Sequence, residues 1–400
     1  MKIACVGGGP ASLYFSILMK RMSPSEDITV YERDPVGSTY GWGVTYSDRL
    51  LGNLYSADQE SACAIAESSA SWNRWDHHRE DVAMTTRPGH AGYGISRRRL
   101  LSILAQRARV LGVRIQYERE ITDEGELAEA DLIVAGDGVN SALRNRHADH
   151  FGTQVTAGRN VYLWLGTTRV FEFFTFAFKE TVHGWIWCYG YPYDPGHSTC
   201  VVECSPETWK GLGFDRGTEA DTLARLEKIF AGMLDGHPLM GRGDGEGSAH
   251  WLNFRTVDNR TWYRDNVVLI GDAAHTTHYS IGAGTGLALG DAATLVNALL
   301  EDPRLPSALA AYEKEAKAAL RTARLAGRRS ARWYENIRRY AGLPPEQMFK
   351  LHRARYSLLL PYVPPRLYYW AGRVNEKSLA RATGWVAGKV ARARETFTPQ

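Results

Sequence analysis

The chain has 400 residues, is 44% hydrophobic and 23% charged, and carries a formal net charge of only +4. That composition belongs to a globular protein large enough for more than one domain, and no apolar run approaches the length that spans a bilayer. The five cysteines (Cys5, Cys63, Cys188, Cys200, Cys204) show no CxxC spacing and no histidine cluster beside them. This argues against a metal site and for reduced thiols in a cytoplasmic protein. Charge is unevenly placed: from Arg321 onward 17 Lys and Arg face 4 Glu, so this end carries +13. A solvated helical face, a nucleic-acid or membrane contact, and a dock for a phosphate-bearing ligand all fit that asymmetry. No nucleic-acid motif and no strongly amphipathic basic helix accompanies it, so neither a nucleic-acid nor a membrane partner is expected.

In chain order, Lys2 to Val6 reads as a buried strand entered directly from the N-terminus, without the pattern of a signal peptide. Glycines follow, then helical spacing from Leu13 to Met22 and a second strand, Ile28 to Tyr31, which together make a β-α-β unit. Leu100 to Val113 has the spacing of an amphipathic helix. Asp131 to Ala135 and Asn266 to Ile270 are further buried strands, each ending in Gly-Asp. Between them the period changes to two. Phe171, Phe173, Thr175 and Ala177 alternate, and Trp185 and Trp187 fall on one side of a strand, as in an antiparallel sheet with an aromatic face. Cys200 and Cys204 read as core. After Pro306 the chain reads as helices. The expected fold class is α/β: a Rossmann-like dinucleotide-binding domain (1–70, 98–157 and 259–310), an inserted antiparallel β-sheet domain (71–97 and 158–258) and a basic helical C-terminus (311–400).

Three segments point to a dinucleotide. In Gly7-Gly8-Gly9-Pro10-Ala11-Ser12, Gly7 permits the tight turn and Gly9 lets backbone approach a pyrophosphate at a helix N-terminus. Ser12 stands where the pattern has its third glycine. Glu32 closes the second strand, where an acid accepts hydrogen bonds from a ribose. Gly136-Asp137-Gly138 and Gly271-Asp272-Ala273-Ala274-His275, followed by Gly282-Ala283-Gly284, each set a carboxylate and bare backbone N–H groups after a strand. Either could be an ordinary capped helix; both in one chain, in this order, suit FAD.

These segments, with Arg97-x-x-Leu100, resemble the single-component FAD aromatic hydroxylases of the p-hydroxybenzoate hydroxylase fold. Gly41-Trp42-Gly43-Val44, Gly158 to Thr167, Val201 to Cys204, Trp251 to Phe254 and His278 to Gly282 resemble one branch of them. That branch holds salicylyl-CoA 5-hydroxylase (its N-terminal flavin part) and the indole hydroxylase of the violacein pathway. The resemblance implies that Gly7, Gly9 and Glu32 hold the AMP half and that Arg97 meets the FAD phosphate or ribose. It puts Asp137 near the pyrophosphate, Asp272 on the ribityl chain, and Gly282, Ala283 and Gly284 against the isoalloxazine. Pro10, Ala11, Ser12, Arg33, Gly43, Val44 and Gly138 complete the implied cofactor contacts.

His278 replaces a proline of the wider family. It is either a base, proton relay or substrate contact, or a hydrogen-bonded structural histidine. Trp42, Tyr46, Trp185, Trp187 and Tyr189 are candidate walls of an aromatic substrate pocket. Trp185-Ile186-Trp187 continues as Cys188-Tyr189-Gly190, so it reads as a strand rather than a flavin-halogenase motif. The resemblance implies an NAD(P)H-dependent monooxygenase that activates O2 as a flavin C4a-hydroperoxide. Its substrate would be an indole, aminobenzoyl or hydroxybenzoyl group, free or as a CoA or carrier-protein thioester. The rivals are an FAD reductase or dehydrogenase without oxygen insertion, and an FAD redox sensor with a basic binding tail.

Overall fold

The computed structural model describes residues 1–39, 41–241 and 249–373. Residues 374–400 of the expected basic helical region lie outside them. β1 (Lys2–Val6) and β2 (Asp27–Tyr31) flank α1 (Pro10–Met22). β3 (Gly43–Ser47), β4 (Ala70–Trp72) and β7 (Gly92–Ser96) form a small sheet, with α2 (Asp48–Ala57) and α3 (Gln59–Glu67) between the first two. β5 (Trp75–Arg79) and β6 (Val82–Thr85) leave for a larger sheet. After α4 (Arg97–Val110), β8 (Arg114–Gln116) and β9 (Leu132–Ala135) return to the first sheet, and α5 (Ala142–Arg146) and α6 (Ala148–Phe151) follow.

β10 (Gln154–Thr167), β11 (Phe174–Thr181), β12 (Gly184–Pro192) and β13 (Ser198–Cys204) build the large sheet. α7 (Pro206–Gly211), α8 (Glu219–Ile229) and α9 (Ala231–Leu234) come next, before β14 (Leu239–Met240) and β15 (Leu252–Asp258) add to the same sheet. β16 (Tyr263–Arg264) and β17 (Val267–Leu269) close the first sheet. α10 (Gly284–Glu301), α11 (Leu305–Glu335), α12 (Arg338–Ala341) and α13 (Pro345–Arg353) follow.

The first sheet has the order β16-β17-β9-β1-β2-β8, parallel except for β16. Its strands are short apolar runs because both faces are covered. α1 is buried from Ala11 to Met19 and packs against both α4 and α10. The large sheet of eight strands is antiparallel, as expected, with one parallel pairing where β5 runs alongside β11. Alternation divides its faces. Ile186, Cys188, Cys200, Val202 and Cys204 pack beneath it with Phe214, Leu226 and Phe230. Trp185, Trp187 and Tyr189 lie on the other face with Phe174 and Phe176.

Two of the expected boundaries shift. Residues 92–96 pair with β3 and β4 rather than joining the large sheet, and β10 already pairs with β15 at Gln154. The chain forms two compact units, Met1–Ala331 and a second beginning at Arg332. In the second, Trp333 stacks on Tyr340 at 5.0 Å and Tyr334 is hydrogen-bonded to His352 at 2.8 Å. Among the described residues no helix is long and apolar enough to cross a membrane.

Candidate active site

The strand order reverses about β1, with β2 on one side and β9 on the other. Open α/β sheets bind ligands at the carboxyl ends of their strands at such a switch point. There the two glycine loops touch. Gly7 has φ +92°, and a Cβ on it would lie 2.6 Å from the Gly136 carbonyl oxygen. Ser12 takes up the room that Gly136 leaves: a Cβ on Gly136 would sit 2.3 Å from Ser12 Oγ. The missing third glycine is thus compensated across the loop. α1 starts at Pro10, and its N-cap, Gly9, supplies no side-chain cap, so first-turn N–H groups remain for an anion. Ala11 is buried beside Gly271 of the third segment. Glu32 is held rigid by N–H donors from Gly8 (2.6 Å) and Asp34 (2.9 Å). Arg33 makes only loose ion pairs with Asp34 and Glu120, both at 3.9 Å.

The two Gly-Asp loops are tied to each other. Arg144, buried, donates to Val139 O (2.7 Å) and to Ala273 O (3.3 Å). Asp137 accepts from Ala142 N–H at 2.8 Å with one oxygen, while its Oδ1 and Ser12 Oγ are buried without a hydrogen-bond partner. Burial holds the Asp137 carboxyl above its usual range. Asp272 lies deep in the fold, and burial raises it too, against the opposing charges of His275 and Arg97. Yet its own surface is exposed, as expected of a residue facing a cleft. Arg97, at the start of α4, also donates to Thr39 Oγ1 at 2.8 Å. Beneath Asp272, Asp291 accepts from Gly271 N–H and pairs with His275 Nε2, both at 2.9 Å. Burial works to lower His275, but Asp291 outweighs it and the ring's pKa is raised.

Gly43 joins the small sheet to the aromatic one: its N–H donates to Thr199 Oγ1 (2.9 Å) and its carbonyl accepts from Tyr191 O–H (2.8 Å). Val44 follows on β3, and Thr45 reaches Gly282, where a Cβ would lie 2.6 Å from its Oγ1. Gly138 and Gly284 have no atom within 4 Å of where a Cβ would stand, and Ala283 caps α10 without a side-chain bond.

The candidate substrate residues do not all converge. Trp42 lies on Gly166 of β10 and donates to Trp164 O at 3.3 Å. Tyr46 goes elsewhere, into the core, stacked on Tyr93 at 5.1 Å and bonded to Ser69. Trp185 is buried with Arg79 over its ring, and Trp187 is buried among the aromatic face. Tyr189 reaches the loop between Asp272 and Gly282, stacking on Tyr279 at 6.3 Å.

Around Tyr279 the structure gathers residues that the candidate set omits. Tyr162 lies at 4.4 Å and Phe254 at 5.7 Å. Tyr279 O–H donates to Glu203 at 2.6 Å, and Asn160 Nδ2 donates to the other oxygen of Glu203 at 2.7 Å. A β-bulge between Ala157 and Val161 aims Asn160 there, and Asn253 pins the bulge by donating to the carbonyls of Gly158 (3.3 Å) and Asn160 (3.1 Å). One signal was available in the sequence: Glu203 is a lone carboxylate inside the apolar run Cys200 to Cys204.

His278 stacks on Tyr279 at 4.4 Å and on Phe254 at 5.0 Å. Its Nδ1 accepts from Ser280 N–H and is paired with Ser280 Oγ at 2.8 Å, which caps the short turn Tyr279–Ile281. Burial pushes its pKa down to about 3. A ring held that far below neutrality is a weak base at pH 7, while its hydrogen bonds to Ser280 cap the turn.

The uncapped α1 terminus, the fixed Glu32, the unpartnered Ser12 Oγ and Asp137 Oδ1, and the exposed Asp272 fit the pyrophosphate, ribose and ribityl groups of FAD. Fold and site define an FAD-binding protein with an aromatic sheet set beside its cofactor cleft. Residues 1–324 match the FAD binding domain family, and the chain belongs to that family, among its aromatic monooxygenases. It is 35% identical over 353 residues to a salicyloyl-CoA 5-hydroxylase from Streptomyces sp, covering 85% of this chain and 66% of that protein, just under two thirds of its length. It is 36% identical to the 3-hydroxy-4-methyl-anthranilyl-[aryl-carrier protein] 5-monooxygenase of Streptosporangium sibiricum (84% of this chain, 90% of that one). It is 30% identical to the protodeoxyviolaceinate monooxygenase of Chromobacterium violaceum (90% and 96%). A solved 2-methyl-3-hydroxypyridine-5-carboxylic acid oxygenase shares the fold at 18% identity, with a TM-score of 0.69 over 89% of this chain and 98% of that one.

Proposed function

We propose that the chain hydroxylates an electron-rich aromatic ring, an indole, aminobenzoyl or hydroxybenzoyl group, with NAD(P)H as reductant. The benzoyl substrates would be carried as thioesters on CoA or a carrier protein. One observation carries this reading: aromatic and polar residues from β10, β12, β13 and β15 close around Tyr279, in the loop that joins Asp272 to Gly282. The salicyloyl-CoA and aryl-carrier-protein relatives support the thioester handle, and the violacein relative supports an indole.

When bound, FAD would supply the redox chemistry between NAD(P)H and molecular oxygen. The protein's residues bind, orient and exclude water. Gly7, Gly9 and the start of α1 at Pro10 hold the pyrophosphate, and Glu32 holds the ribose. Asp272 takes the ribityl hydroxyls, with Arg97 nearby in charge. Gly282 to Gly284 would hold the isoalloxazine through their bare backbone. Tyr162, Tyr189 and Phe254 order the substrate ring, and the apolar surroundings keep water from the reacting atoms.

The test is a screen of aromatic acids, their CoA esters and indoles for stimulated NAD(P)H oxidation, followed by turnover under labelled O2. One labelled oxygen per product is expected. Stimulated oxidation with no label in any product would establish the reductase reading instead.

A further inference from the structure

Which ring substituent the site recognises follows from the direction of two hydrogen bonds. Tyr279 O–H donates to Glu203 Oε2 at 2.6 Å, and Asn160 Nδ2 donates to Glu203 Oε1 at 2.7 Å. Glu203 is 1% exposed and Asn160 7%. Each oxygen of this buried carboxyl group is met by its own donor, and burial shields both bonds from water, so neither donor is readily given up to a ligand. A tyrosine hydroxyl has one hydrogen and two lone pairs. The Tyr279 hydrogen is committed to Glu203, and what its oxygen can offer a ligand is a lone pair. Tyr279 is only half-buried, with its ring among those of Tyr162 and Tyr189.

We propose that Glu203, Asn160 and Tyr279 form a substituent-reading site that accepts a ring O–H or N–H and rejects a ring offering only an acceptor there. Tyr279 touches the substrate, while Glu203 and Asn160 are positioning residues that fix the direction of its hydroxyl. The inference rests on the aromatic-substrate reading above. A phenol, an aniline or an indole N–H satisfies Tyr279. A methoxy, nitro or phenolate oxygen sets lone pair against lone pair in a site shielded from water.

The same geometry makes Glu203→Gln informative. Asn160 still donates, so it takes the amide oxygen and turns the glutamine NH2 toward Tyr279. Tyr279 then accepts from that NH2, and its own hydrogen turns to the ligand. The preference should invert.

The experiment uses the FAD-loaded full chain and titrates the flavin absorbance with 2-, 3- and 4-hydroxybenzoyl-CoA and their methoxy counterparts. The wild type should favour its best hydroxy isomer over the matching methoxy compound by about tenfold to a hundredfold. In Tyr279→Phe the ratio should fall to near one, and in Glu203→Gln the methoxy compound should bind better. FAD content and melting temperature are recorded for each variant. A purely structural Glu203 would weaken both ligands together with the ratio unchanged, and that result overturns the proposal. Should Glu203→Gln not fold, the Tyr279→Phe ratio decides alone. Equal binding of both series by a wild type that hydroxylates them overturns only this site. If the wild type binds neither series, the hydroxybenzoyl branch of the function proposed above falls, and the same ratio is read from an indole and its N-methyl counterpart, whose equal binding overturns this site.

Discussion

Asp272 and His278 lie on one loop and carry opposite expectations. Asp272 faces the cleft, so Asp272→Ala should leave the fold intact and weaken FAD by about tenfold to a hundredfold, the worth of one or two hydrogen bonds. An FAD dissociation constant unchanged from wild type would remove it from the cofactor site. His278 instead caps a turn, with its pKa pushed down to about 3. Its folded form stays neutral where the unfolded ring, titrating near 6.5, already takes a proton. This contribution to stability is therefore full above about pH 6.5 and lost as pH falls toward about 3, by at most ~1.4 kcal/mol per pH unit. His278→Asn, whose oxygen can still accept from Ser280 N–H, should flatten that slope in urea unfolding at pH 7 and pH 5. It should also keep product per NAD(P)H close to wild type; a loss of about a hundredfold or more would return His278 to the chemistry. The glycine turns after β1, β9 and β17 were legible because each motif encodes a local turn. Glu203, Asn160 and Tyr279 stand far apart in sequence, and only the pairing of β10 with β13 and the path of the Asp272 loop bring them together.

Elements followed the same division. Periodicity located β1, β2, β9, β17 and α4 to within a few residues, because short buried strands and one-sided helices write their burial into the sequence. The bulge in β10 and the parallel pairing of β5 with β11 left no such trace, since a register shift and a strand direction depend on partners elsewhere in the chain. Contact between the first two cofactor loops is likewise tertiary, and it makes a pairwise prediction. Gly136→Ala alone would put a Cβ 2.3 Å from Ser12 Oγ, so it should lower both melting temperature and FAD content. Adding Ser12→Gly removes that oxygen and should recover most of the loss, despite the entropy cost of a glycine in α1, about 1 kcal/mol. Strictly additive effects in the double variant would mean that the two loops do not pack as described.

At the scale of the whole molecule, the residues assigned to FAD run from Gly7 to Gly284 and draw on β1, β2, α4, β9 and α10. A single ligand would therefore cross-link elements spread over most of the Met1–Ala331 unit, and its binding energy becomes folding energy of that unit. Free FAD at about a hundred times its dissociation constant should add ~2.7 kcal/mol. At roughly 2.1 cal/mol/K per residue, a unit of this size unfolds with an entropy near 0.7 kcal/mol/K, so the melting temperature should rise by about 4 °C. The protein stripped of flavin should melt correspondingly lower and recover as FAD is added back. Asp272→Ala should show the same rise displaced to FAD concentrations about tenfold to a hundredfold higher, because it weakens the ligand and leaves the fold alone. A melting temperature indifferent to FAD up to saturating concentration would mean that the cofactor does not bridge these elements. The switch point at β1 would then be an ordinary β-α turn.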